Sequence, residues 1–223
     1  MVSAAAKKPS PIEELLGPNI LTSDGIKNTH AIMKNRDLVV LYFSASWCGP
    51  CKSFSPALAN FYRTAQSQSQ SPSAAGPKIE VVFVSSDQDQ QSFRKYYADH
   101  PWVALPYSAA EIGKKLAADY RIKGIPSVIV LDAKTGHYVT NTGREDVLAT
   151  QVDKKADPEK VRETVAVWKE KEAVPLEQAN FDENKPLASR IVRIFAENPL
   201  MLFLFLYLVK RFMEMWGIGK GDK

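Results

Sequence analysis

Nine residues, DLVVLYFSA (37–45), make a near-continuous apolar and β-branched run that leads almost directly into Cys48-Gly49-Pro50-Cys51. A run of this kind belongs to a strand covered on both faces. Immediately after it Phe54, Leu58, Phe61 and Tyr62 recur at i, i+4, i+7 and i+8, one stripe of a helix that begins near Cys48. Pro56 lies inside that stripe and removes a backbone donor, but the apolar period continues past it, so the spacing predicts a kinked helix rather than an ended one. A buried strand, a tight turn and an amphipathic helix in succession point to an α/β fold.

The rest of the chain extends that pattern. KIEVVFVSSD (78–87) reads as a second buried strand, with Asp87 or Asp89 capping a helix that carries Phe93, Tyr96 and Tyr97. The strand-helix-strand crossover makes the first two strands parallel. Ile112, Leu116 and Tyr120 mark a helix over 111–121, GIPSVIVLD (124–132) turns at Gly124–Pro126 into a third strand, and AKTG (133–136) is a hairpin turn into HYVTNTG. Val161, Val165 and Trp168 line a last helix whose lysines and glutamates face water. The polar, low-complexity QSQSQSPSAAGPK (66–78) reads as a surface loop, and residues 1–18 as a flexible lead unless Ile12, Leu15 and Leu16 dock. The expected architecture is a central mixed sheet flanked by helices.

Composition closes off several classes of function. The 223 residues are 45% hydrophobic, ample for a packed core. A balance of 29 Lys+Arg against 25 Asp+Glu gives +4, too small and too evenly spread to suggest a nucleic-acid partner. Two cysteines cannot build a disulfide framework, which favours a reducing compartment. The N-terminus MVSAAAKKPSPIEELLG has no apolar core of a secretory signal, and Glu13 and Glu14 make it a poor transit peptide.

The cysteine pair admits three readings. A structural metal site needs four ligands, yet His30, His100 and His137 are scattered singly, and no metal is expected. Two inert buried thiols are the commoner fate of cysteines in general. At a strand-to-helix turn inside a βαβ pattern, however, C-x-x-C is specific for redox chemistry. A helix N-terminus stabilises a thiolate, which makes Cys48 the nucleophile, while Cys51, one turn further in, is more shielded and close enough to resolve a mixed disulfide. Gly49 lets a substrate approach the backbone, Pro50 sits in the first turn where its missing N–H costs nothing, and Trp47 is expected to shield the sulfur. Read alone, Pro126 is an ordinary trans proline opening a strand.

These residues resemble the thioredoxin superfamily: WCGPC (47–51) is similar to its active-site motif, Pro56 to its helix kink and GIPSVIV (124–130) to its cis-proline loop. LYFSASWC (41–48), VVFVSSD (81–87), YYADHPWVALPY (96–107) and YRIKGIPSVIVLD (120–132) are similar to the nucleoredoxin and tryparedoxin branch, and the resemblance covers roughly residues 20–170. It implies the thioredoxin fold, a cis Pro126, and substrate binding by Ile125 and Pro126. It also implies a protein-disulfide reductase with no cofactor beyond a Cys48–Cys51 redox disulfide and an external thiol reductant. Its partners would be disulfide-containing clients, peroxidases among them, and an upstream reductase or small dithiol. A redox-regulated binding adaptor of nucleoredoxin type is the alternative. Two departures stand out: the branch usually carries Pro where Gly49 stands, and thioredoxins carry a buried Asp where this chain has Tyr42, leaving the proton acceptor for Cys51 open.

The reading divides the chain into a lead (1–18), a thioredoxin-like domain (19–172), a linker (173–186), an amphipathic lead and hydrophobic tail helix (187–217) and a polar end (218–223). Pro199–Val209 alone covers about half of a ~30 Å hydrocarbon core; continued to Trp216 the helix reaches ~27 Å, a marginal span. The tail is therefore expected to anchor the protein by its C-terminus, with the redox domain facing the cytosol, in the mitochondrial outer membrane or the endoplasmic reticulum. A soluble cytoplasmic protein with the tail helix packed on the domain is the alternative.

Overall fold

The computed structural model describes residues 8–70 and 76–181, together with Tyr207 and Arg211. In chain order its elements are α1 (Pro11–Leu16), β1 (Asn19–Thr22), β2 (Gly25–Asn28), α2 (Thr29–Met33), β3 (Leu38–Ser44), α3 (Gly49–Ser69), β4 (Ile79–Ser85), α4 (Gln90–Tyr97), β5 (Val103–Ala104), α5 (Ala110–Asp119), β6 (Ser127–Asp132), β7 (Tyr138–Thr140), α6 (Gly143–Ala149), β8 (Gln151–Val152), β9 (Lys155–Ala156) and α7 (Pro158–Glu170). Seven strands form one sheet in the order β2-β1-β5-β4-β3-β6-β7. As the crossover required, β3 and β4 are parallel, in register from Leu38↔Ile79 to Ser44↔Ser85, while β6 runs antiparallel along the other side of β3.

β3 is the middle of the core because neither of its faces meets water. Successive side chains of a strand point to opposite faces. Val40 and Tyr42 join Phe54, Leu58, Phe61, Tyr62, Phe93 and Trp168 on one side, beneath α3, α4 and α7. Val39, Leu41 and Phe43 join Ile12, Leu16, Leu116 and Tyr120 on the other, beneath α1 and α5. Each such fully buried large side chain stabilises the fold by roughly 1.5–3 kcal/mol relative to exposure. The central mixed sheet with helices on both faces is the thioredoxin fold.

Three boundaries differ from the expectation. The lead is not loose throughout: Ser10 caps α1 by accepting the Glu13 N–H, and Ile12 and Leu16 are buried. The loop expected over 66–78 begins later, because α3 runs through Pro56 to Ser69. Its polar last turn is tied down by side chains, with Gln66 Nε2 donating to Ile79 O at 3.0 Å and Gln68 Nε2 to Pro158 O at 2.6 Å. Residues 71–75 lie outside the described residues. The linker expected from 173 is packed as far as 181: Val174 and Tyr138 exchange backbone hydrogen bonds of 2.9 Å, and the Phe181 ring lies 5.1 Å from that of Tyr138, with Arg121 stacked over it. The compact unit accordingly ends at Phe181. Apart from Tyr207 and Arg211, the hydrophobic tail over 187–217 and the polar end lie outside the described residues. Among the described residues no helix is long and apolar enough to cross a membrane.

Candidate active site

The redox pair sits where the buried strand becomes the long helix. Cys48 is the N-cap of α3, with extended backbone (φ −84°, ψ 107°), and its Sγ accepts the Cys51 N–H at 3.2 Å. Gly49 and Pro50 fill the first two helical positions, where N–H groups lack helical partners and a proline is tolerated. A side chain at Gly49 would meet nothing within 4 Å, so the space outside this turn is open. Cys51 follows one turn in and is bonded to Cys48 with S–S 2.12 Å and Cα–Cα 5.2 Å. Cys48 is 5% exposed and Cys51 fully buried, an ordering that leaves Cys48 the more accessible sulfur. The two cluster with Ala45 and Ile125.

The loop of Ile125 and Pro126 comes from the opposite side of the pair. The Ile125–Pro126 peptide is cis. Ile125 O lies 3.7 Å from Cys48 Sγ, Pro126 is buried, and Ser127 Oγ closes the loop by donating to Gly124 O at 2.6 Å. Trp47, next to Cys48 in the chain, is 61% exposed, with Nε1–H donating to Ser86 O at 3.3 Å. The structure thus brings Cys48, Gly49, Pro50, Cys51, Ile125 and Pro126 together, with Trp47 adjoining Cys48 in the chain and tied to Ser86.

Behind Cys51 lies a set of hydroxyls that sequence reasoning did not find. Tyr42 OH is 2.8 Å from Ser55 Oγ, Ser55 Oγ is 2.8 Å from Tyr96 OH, and Tyr96 OH is 3.1 Å from Ser44 Oγ. Ser55 Oγ donates to Cys51 O at 3.0 Å, and Tyr42 OH lies 3.4 Å from the same oxygen. Burial pushes the Tyr42 phenol well above its ordinary range, so the group in place of a carboxylate is a neutral hydroxyl at physiological pH. The signal for the network was the alternation of β3, which sends Tyr42 to the same face as α3, and the helical offset that puts Ser55 one turn beyond Cys51.

The same face opens as a cleft of about 640 Å³ lined by Lys52, Ser55, Arg63, Lys95, Tyr96 and His100, among others. His100 is packed among rings, with Tyr96 at 4.6 Å and Trp102 at 4.8 Å. Both its ring nitrogens are shielded from solvent and have no hydrogen-bond partner among the described residues. Desolvation lowers its pKa to about 4, so it is uncharged at neutral pH. Among the described residues no three His, Cys, Asp or Glu side chains are placed to hold one metal ion.

Comparison with known proteins agrees with this geometry. A family model described as thioredoxin-like matches residues 35–137. Nucleoredoxin of Bos taurus is 36% identical over 140 residues, which is 63% of this chain but 30% of that protein, so the chain spans about a third of the length of such relatives. Tryparedoxin of Trypanosoma brucei brucei is 36% identical over 110 residues, covering 49% of this chain and 71% of the relative. The crystal structure of tryparedoxin I from Crithidia fasciculata superposes with a TM-score of 0.55 at 32% identity, over 63% of this chain and 92% of the other. With its cysteine pair at the start of α3 and a cis proline facing it, the chain belongs to the thioredoxin-like oxidoreductases, in the group of the nucleoredoxins and tryparedoxins.

Proposed function

We propose that this protein reduces disulfides of client proteins through the Cys48/Cys51 dithiol. One observation carries the reading: Cys48 Sγ takes the N-cap position of a 21-residue helix and accepts the Cys51 N–H, while Cys51 has no exposed surface. In the reduced protein the oriented N–H groups and the helix dipole favour the Cys48 thiolate. That thiolate attacks one sulfur of the client disulfide; the S–S bond breaks, a mixed disulfide with Cys48 forms, and the first client thiolate leaves and is protonated. Cys51, having lost its proton, attacks Cys48 Sγ, the Cys48–Cys51 bond forms, and the second client thiol is released. Two electrons have passed to the client, and an external dithiol or an upstream reductase returns them. The open space outside Gly49 and the carbonyl of Ile125 beside the sulfur support Gly49, Pro50, Ile125 and Pro126 as the surface that receives the client backbone, with Trp47 at its rim.

The test is turnover of an insulin-type disulfide with a reductase and NADPH. Cys48→Ser is expected to abolish it, and Cys51→Ser to hold clients as mixed disulfides on Cys48. Turnover retained by Cys48→Ser would overturn the reading. Trapping without any turnover by the intact protein would assign the pair to a redox-controlled binding role instead. The proposal includes a C-terminal anchor formed by residues 187–217, on the strength of the apolar run from Pro199 to Val209.

A further inference from the structure

The turn that delivers Cys48 to the helix is laced to the end of the neighbouring strand. Beyond β3 the backbone leaves the ladder, and Ser46, two residues before Cys48, has an N–H that needs a partner outside it. That partner is Asp87, whose Oδ1 accepts at 2.8 Å across the gap between the ends of β3 and β4. The carboxylate is itself fixed: Ser85 Oγ donates to Oδ2 at 2.8 Å, and the Asp87 N–H donates to Ser85 Oγ at 2.9 Å. Between the two, Ser86 donates its N–H to Ser44 O at 2.9 Å and accepts the Trp47 indole at 3.3 Å. Asp89, not Asp87, caps α4, so Asp87 is not spent on a helix end.

We propose that Asp87 is a positioning residue for the redox pair: its carboxylate sets the conformation of the Ala45–Cys48 turn and, through it, the placement of Trp47 and of Cys48 Sγ against Ile125 O. The inference rests on the reading of Cys48 as the attacking thiol. Of the bonds that lace the turn to the strand end, the Ser46–Asp87 bond is made to a side chain on the strand side, where one substitution removes it without touching the backbone. Losing it leaves the Ser46 N–H to water and gives the turn freedom just where attack geometry is set, and small misplacements there carry a large cost in rate. The carboxylate acts as an acceptor and not through its charge, since a negative charge near a thiolate opposes ionisation. Asparagine, which keeps one carbonyl oxygen for Ser46, should therefore substitute well.

The experiment compares Asp87→Ala, Asp87→Asn and wild type in the full chain, by disulfide reduction and by the Trp47 part of the fluorescence, obtained by difference against Trp47→Phe in each background. Asp87→Ala is expected to lose about tenfold in kcat/KM and to alter the Trp47 emission and its change on reducing the Cys48–Cys51 bond; Asp87→Asn is expected to stay within about threefold with the wild-type signature. Wild-type activity and emission in Asp87→Ala would overturn the proposal, as would equal losses in the two variants, which would make the charge responsible. Where Asp87→Ala does not fold, Ser85→Ala decides, because it frees one carboxylate oxygen: a two- to threefold loss with a shifted Trp47 emission supports positioning, and no change in either overturns it. A wild-type protein that reduces no disulfide would refute the functional reading alone, since the fluorescence comparison still tests Asp87.

Discussion

At the residue scale the candidate site combines side chains that sequence identifies by type with others it cannot pair. Cys48 and Cys51 announce themselves through spacing and neighbours, while Pro126, an ordinary proline by its neighbours alone, was marked only by the resemblance of its loop. Asp87, Ser55 and Tyr96 do not, because a serine, a tyrosine or an aspartate at a strand end or on a helix has many commoner uses, and only three-dimensional register shows which atoms meet. His100 belongs to the second group and has a measurable consequence. Its folded pKa of about 4 lies below the ordinary value of 6.5, because burial among rings penalises the charged form. Asp99 and Asp87 are the charges that pull the other way. A depressed folded pKa means that the contribution to stability is present above pH 6.5 and is lost as pH falls from 6.5 through about 4, by up to about 3 kcal/mol. His100→Phe, which keeps a ring in the cluster, should therefore gain stability on the wild type as pH falls through that window in urea melts. A constant difference between the two from pH 7 to pH 4 would show that His100 does not carry this slope.

At the scale of elements, legibility followed how strongly each segment repeats a pattern. β3 and β4 were evident as apolar runs because both their faces are covered, and α3 and α7 because their buried positions recur with helical period. α3 was nonetheless read too short. Its polar last turn, QSQS, has no apolar stripe beyond Ala65 and is held by Gln66 and Gln68 reaching carbonyls of Ile79 and Pro158, contacts that no periodicity reveals. The β1–β2 hairpin was missed although Asp24-Gly25 is a turn signal, because its strands are four residues each and β2 is an edge strand with exposed side chains. α6 was missed because Gly143 opens it, and glycine argues against a helix. The structure shows the reason for that residue: a Cβ there would come within 2.6 Å of Val128 Cγ1, so α6 lies against β6 at a distance only glycine permits.

At the scale of the whole molecule, the thioredoxin-like unit is built on a seven-stranded sheet with a core on each face, with β8 and β9 paired apart from it, and the redox pair sits at the C-terminal end of the strand β3, where helix α3 begins. The compact unit closes at Phe181, where the aromatic contacts with Tyr120 and Tyr138 and the stacked Arg121 end it. The tail that follows is a separate matter with a separate test. If residues 187–217 anchor the protein, the full chain should remain with membranes through carbonate washing and a chain cut after residue 186 should be released; a full chain that washes off would refute the anchor. The central claim concerns the first thiol of α3, and the most direct measurement is its titration. In the reduced protein carrying Cys51→Ser, the alkylation rate of Cys48 followed against pH should give an apparent pKa at least one unit below the ~8.5 of free cysteine. A Cys48 that titrates at the free value would contradict the account, since the start of the helix would then not be stabilising its thiolate.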